Sequence, residues 1–245
     1  MSRLARNISQ SGVYHVLFRG VNQQNIFEEA VDFAKLKEII EIVKQDLKFE
    51  IYAYCFMSNH VHIVLREKNI GEISLIMKRI LTKYARWYNI KYGRSGALIA
   101  NRYKSVPVEI DEYFLQLVRY VHQNPIKAGI VEKIENYSYS SYSEYINNGG
   151  LTDIGFVLEM ISLREFIDYH QEVGEMNFQV SDRKKKTDDD IIMYLKKKYN
   201  IDNPKSISKF SKVERDKVLA ELKKEFPTRQ LQRITGISRG VITKA

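Results

Sequence analysis

FEIYAYCFMSNHVHIVLR, residues 49–66, holds two runs rich in β-branched and aromatic residues, Phe49–Phe56 and His60–Arg66, with only Met57–Asn59 between them. Runs of that composition form strands, and so short a break joins antiparallel neighbours, so a β-hairpin is expected. Outward on the N-terminal side, Glu28–Lys44 spaces Phe33, Leu36, Ile39, Ile40 and Val43 along one helix face. Before it, Val13–Phe18 (VYHVLF) reads as a strand followed by turn residues at Gly20 and Asn22–Asn25. On the C-terminal side, Ile73–Ile90 reads as a helix, Ser105–Ile110 as a short strand, and a second helix begins at Asp111 or Glu112. That helix is expected to run to about Gln123 and to end at Asn124-Pro125, because proline removes a donor and restricts the residue before it. The order β-α-β-β-α-β-α predicts an α+β, ferredoxin-like βαββαβ fold: an antiparallel sheet with helices on one face, plus one more helix. Residues 134–180 read as helical or irregular elaboration.

The chain has 245 residues, 44% hydrophobic and 28% charged, which excludes disorder as its dominant state. No apolar run approaches the ~18 residues of a membrane span, so no membrane partner is expected. The opening MSRLARNISQSGVYHV lacks the apolar core of a secretory leader. A lone cysteine, Cys55, excludes an internal disulfide and a cysteine zinc cluster, and a reducing, cytoplasmic location is expected. The net charge of +9 favours a polyanionic partner. Residues 73–104 carry Lys78, Arg79, Lys83, Arg86, Lys91, Arg94, Arg102 and Lys104 and no acid, interleaved with Tyr84, Trp87, Tyr88, Tyr92 and Tyr103. Cations hold phosphates and flat rings stack on unpaired bases; a solvated helix face is the plainer alternative. Residues 141–180 are acidic and 181–245 basic again. The sign changes in SDRKKKTDDD, which marks a linker at 180–188 between domains 1–180 and 188–245.

His60-Val61-His62 places two imidazoles on one strand face, because strand side chains alternate. Neutral imidazoles side by side suit a divalent metal with a third ligand from elsewhere, and two unrelated polar residues on a half-exposed strand would look the same. In LVRYVHQNP, residues 117–125, Tyr120 and Asn124 lie four apart and share a helix face. An amide oxygen can complete a hard-metal sphere, or the asparagine can simply cap the helix before proline. His122 points about 200° away from Tyr120 and receives no role.

These segments together resemble a known family. YAYCFMSNHVHIVL is similar to the metal-binding strand of HUH single-strand DNA transposases of the IS200 type, and VYHVLFRGVNQQNIF to their first strand and turn. ANRYKSVPVEI followed by VRYVHQNPIKAGIV resembles the branch known as REP-associated tyrosine transposases. The resemblance spans about residues 10–145. It implies a single-tyrosine strand transferase on this same fold, with Tyr120 as nucleophile on a catalytic helix and His60 and His62 as metal ligands. Asn124 falls where the family places its third polar ligand. Mg²⁺ or Mn²⁺ would be the cofactor, and cleavage would leave a 5′-phosphotyrosine. The family often shows RGN where this chain has Arg19-Gly20-Val21-Asn22. Arg19, Arg102 and Lys104 are expected to meet phosphates, and Lys78, Arg79, Lys83 and Arg86 to line a track for single-stranded or hairpin DNA.

Further on, residues 188–199 and Val213–Lys224 read as helices. Thr228 and Ser238 are N-cap residues, with Gly236 as the turn between two more. This predicts a small all-α helix-turn-helix module whose second helix would present Arg239, Thr243 and Lys244 to duplex DNA; a helical bundle for partner contact is the alternative. A replication-type nicking protein on the same core, a non-cleaving DNA-binding regulator and a homodimer remain open at this point.

Overall fold

The computed structural model describes residues 7–109, 112–172, 188–226 and 228–245, which divide into two compact units, Met1–Val180 and Ser181–Ala245. The expected linker up to residue 187, the end of the expected strand at Ile110 and the expected helix start at Asp111 lie outside the described residues. Among the described residues no helix is long and apolar enough to cross a membrane.

The first unit is built on strands β1 (Val13–Arg19), β2 (Glu50–Met57), β3 (His60–Arg66) and β4 (Lys104–Val108), antiparallel in the order β2-β3-β1-β4. Helices α1 (Ala30–Leu47), α2 (Ile73–Lys91) and α3 (Glu112–Lys127) connect and cover them. Register decides what each face carries. Arg19 pairs with His60, Leu17 with His62 and His15 with Val64, while β2 sets Cys55 opposite His62 and Met57 opposite His60. Residues directly opposite share a face, so His15, Leu17, Arg19, Cys55, His60 and His62 look to one side. Tyr14, Val16, Phe18, Val61, Ile63 and Leu65 look to the other.

That second side packs mainly against apolar residues of α1 and α2, among them Leu36, Ile40, Ile76, Ile80 and Tyr84, with Ile26, Phe27 and Leu98 from the connections. Each such side chain taken from water is worth about 1.5–3 kcal/mol, so this layer is the main stabilising core. Asp32, fully buried, ties the two helices together: it accepts from the Glu28 and Glu29 amides at 2.7 and 3.1 Å, from Lys91 at 2.5 Å and from Tyr92 at 2.8 Å. Burial pushes its carboxyl up, but these donors outweigh burial and hold it below the ordinary carboxylate value. The first side is covered only in part. Phe114, Leu117, Val118 and Val121 of α3 seal Val13, Ala53, Cys55 and Val64, with α4 (Tyr142–Ile146), α5 (Ile154–Met160) and α6 (Leu163–Gln171) packed behind through Tyr145, Val157 and Phe166. Cys55 is buried there. Toward the end of β1, Leu17, Arg19, His60 and Lys104 emerge from under the helix.

Two local features hold the site. Gly20 has an ordinary negative φ of −63°, yet an added Cβ would stand 2.1 Å from the Gln24 carbonyl oxygen, so only glycine lets the chain turn so tightly there. The turn continues through Asn22 and Gln23, both at positive φ. The second feature corrects the expected end of α3. Asn124-Pro125 does not stop the helix; Pro125 lies inside it and the helix runs to Lys127. Proline leaves the Val121 carbonyl without its usual amide donor. The Asn124 side-chain amide makes up part of the loss, reaching the Tyr120 oxygen at 2.8 Å and the Val121 oxygen at 3.4 Å. The helix closes one turn later in a Schellman arrangement: the Ile130 amide bonds the Pro125 oxygen and the Gly129 amide bonds the Ile126 oxygen, each at 2.9 Å, with Gly129 at φ 67°.

The second unit contains α7 (Asp188–Tyr199), α8 (Lys212–Glu225), α9 (Thr228–Thr235) and α10 (Arg239–Lys244) around Ile191, Leu195, Leu219, Leu222, Leu231 and Ile242. Thr228 is the first helical residue of α9 rather than its cap. Gly236, at φ 72°, turns the chain, and Ser238 occupies the N-cap of α10.

Candidate active site

Three imidazoles and one phenol meet on the partly covered face. His62 from β3 is buried and stands 3.0 Å from its neighbour on β1, Nδ1 to the Nε2 of His15. The His60 ring lies 5.1 Å from the His62 ring, centroid to centroid. Tyr120, half-buried on α3, presents itself edge to face, 5.8 Å from His62 and 6.1 Å from His15. Asn124 follows one turn later. The structure therefore joins His60, His62 and Tyr120 from residues 60 apart, because α3 crosses the face on which β3 displays both histidines.

Burial controls the electrostatics. It holds His15 down to about 3 and, with His15 and His60 adding to the effect, His62 well below the ordinary histidine value. Burial, helped by the Arg19 guanidinium, lowers His60 as well. All three rings are therefore neutral near pH 7, the form in which a ring nitrogen keeps a lone pair. Burial raises the Tyr120 phenol, and a hydrogen bond with the Asn124 side chain opposes it. The Lys127 ammonium lies over the phenol ring, 4.7 Å from its centroid.

The donor set is suited to a cation. His60 Nδ1 is bonded to the Asn59 amide oxygen at 2.6 Å, and His62 Nδ1 to His15, which leaves Nε2 of each ring for a ligand. Among the described residues no group of three or more His, Cys, Asp or Glu side chains is placed to hold a metal unaided. An amide oxygen such as that of Asn124, or substrate oxygens, would have to complete the sphere.

The predicted phosphate contacts divide. Arg19 lies across from His60 and Lys104 across from Leu17, both on the site's face; Arg102 is exposed just ahead of β4. Lys78, Arg79, Lys83 and Arg86 belong to α2, the layer on the opposite side of the sheet, and Arg79 is paired with Asp46. Arg239, Thr243 and Lys244 are exposed on α10, in the second unit. Sequence reasoning passed over His15 and Lys127. His15 alternates with Val13 and Leu17 in a plain strand pattern, and only the β1–β3 pairing reveals that it meets His62. Lys127 lay beyond the helix end that proline suggested.

In this domain a βαββαβ sheet sets a histidine pair from a central strand against a tyrosine from a covering helix, and the comparisons relate the domain to a class of enzymes, the DNA transposases. The family model described as transposase IS200 like matches residues 9–124, and the domain those residues build belongs to that family. Over 156 residues the chain is 26% identical to a Haemophilus influenzae protein assigned as a REP-associated tyrosine transposase, covering 58% of this chain and 86% of that one. The fold is similar to a solved REP-associated tyrosine transposase bound to a REP hairpin, with a TM-score of 0.51, 19% identity, and coverage of 63% of this chain and 96% of the other.

Proposed function

We propose that the chain cuts and rejoins single-stranded or hairpin DNA with Tyr120 as the nucleophile. The observation that carries this reading is the edge-on approach of Tyr120 to His62, with Arg19, His60 and Lys104 at the open end of the same sheet face. Arg19, Lys104 and Arg102 would hold strand phosphates beside the phenol. In the cleavage step the Tyr120 phenol loses its proton and its oxygen bonds to phosphorus. The bond from phosphorus to the 3′-oxygen breaks, and that oxygen takes up a proton and leaves as a 3′-hydroxyl. The strand remains attached as a 5′-phosphotyrosine, so attack by a 3′-hydroxyl reverses the step without an outside energy source. Because burial raises the phenol, deprotonation needs help. His60, His62 and the Asn124 oxygen would hold Mg²⁺ or Mn²⁺, which when bound supplies positive charge against the phosphate. Arg239 and Lys244 would give the second unit a separate hold on duplex DNA.

The test mixes labelled hairpin DNA from the sequence flanking the gene with wild type or Tyr120→Phe, plus Mg²⁺ or Mn²⁺, and resolves covalent adducts on a denaturing gel. An adduct with wild type alone is expected. An adduct with both would pass the role to another tyrosine, Tyr113 first. Tight binding with no adduct from either would favour a non-cleaving regulator.

A further inference from the structure

We infer that His15 is a positioning residue: its Nε2 accepts the Nδ1–H of His62 and thereby locks His62 in the tautomer whose Nε2 carries the lone pair. The inference rests on the proposed use of His60 and His62 as ligands, and it concerns a residue outside that set.

The neighbouring His60 ring shows how the locking works. The Asn59 amide oxygen can only accept, so its 2.6 Å contact places a proton on Nδ1 of His60 and leaves Nε2 bare. His62 has no such one-way partner. Its Nδ1 faces another imidazole nitrogen at 3.0 Å, and two neutral rings in that contact share one proton. If His15 donated, the proton of His62 would sit on Nε2 and the two strand histidines would present unlike nitrogens. If His15 accepts, they present like ones. His15 is also buried and nearly parallel to His62, at an interplanar angle of 21°, so it fixes the plane of the ring as well as its proton. A strand position directly beside β3 gives it no freedom to swing away.

The experiment reads the proton itself. Ring ¹⁵N spectra of the metal-free wild type are expected to show His60 and His62 both protonated at Nδ1. Mn²⁺ titrations followed by electron paramagnetic resonance are expected to show affinity falling about 10–100-fold in His15→Phe, which keeps bulk but cannot accept. His15→Gln, whose amide oxygen accepts, should recover most of the loss. A proton on Nε2 of His62 in the metal-free protein, or equal Mn²⁺ affinity in wild type and His15→Phe, would overturn the role of His15. Should wild type take up no Mn²⁺, the ligand reading fails, and the ring spectra still decide the direction of the His15–His62 bond. If His15→Phe does not fold by circular dichroism, His15→Gln against wild type carries the test: like tautomers and near-equal affinity support the inference, and a switch of the His62 proton to Nε2 refutes it.

Discussion

The first unit contains two buried histidine pairs with opposite fates. His122 on α3 meets His170 on α6 at 2.9 Å, Nδ1 to Nε2, much as His62 meets His15. Around the His122 pair every nitrogen has an assigned role, as donor or acceptor. His170 Nδ1 donates to the Phe166 carbonyl at 2.8 Å, so its Nε2 must accept from His122 Nδ1–H. His122 Nε2 then accepts from the Ser141 hydroxyl at 2.6 Å, and Ser141 in turn accepts from the Tyr54 amide at 2.8 Å. The chain begins and ends on backbone, with no open position. The His15–His62 pair ends at Nε2 of His62, beside Tyr120 and near the exposed Arg19. A closed chain of that kind holds a helix in place; an open one has a lone pair left to use.

If this contrast is right, the two pairs should fail in different ways. The largest effect is expected at the open pair: Tyr120→Phe abolishes the covalent adduct with the melting temperature little changed, and His62→Ala lowers cleavage by about 10²–10³-fold in gel assays. A His62→Ala protein that cleaves like wild type would break the comparison. Next comes His122→Leu, which strands a His170 nitrogen and leaves the Ser141 hydroxyl only the Tyr54 carbonyl, at 3.3 Å, to donate to. Denaturant unfolding should show a loss of about 2–4 kcal/mol, while the fraction still folded forms adduct.

Acid should act on the closed pair third. Burial lowers His170 to about 4 and His122 well below the ordinary value. A histidine with a depressed folded value contributes full stability above its unfolded value near 6.5, and loses it as pH falls toward the folded value. Stability measured by denaturant unfolding should therefore drop between pH 7 and pH 4.5, by about 2 kcal/mol from His170 alone. His170→Gln, which can keep both contacts, should flatten part of that limb. The smallest effect separates the two sides of the sheet. Arg19→Ala should weaken hairpin binding severalfold and reduce its salt slope by about one, whereas Lys83→Ala on α2 should change cleavage less than twofold in the same assay.

The fold was legible because hairpin and helices are written in local patterns: β3 begins at His60 and α2 at Ile73, both as the periodicity predicts. Residue type and spacing singled out Tyr120, His60 and His62 but left plainer readings open, and only the family resemblance attached roles to them. What the sequence withheld depends on strand order. Nothing local distinguishes His15 from any polar residue in a strand until β1 is known to lie beside β3. Nor could it show that the basic face of α2 and the tyrosine helix stand on opposite sides of one sheet. The misplaced end of α3 has another origin: proline's rule is statistical, and a side-chain amide next to it can supply a donor.

That amide makes Asn124 and Pro125 inseparable in mutational terms. In the presence of Pro125, Asn124→Leu removes the side-chain donor that reaches the Val121 carbonyl at 3.4 Å; after Pro125→Ala, a backbone amide serves that carbonyl and the same change loses less. The pair is thus epistatic by construction. A library that varies either position alone will misjudge the other, and a redesign of the oxygen offered by Asn124 succeeds or fails according to the order in which the two residues are replaced.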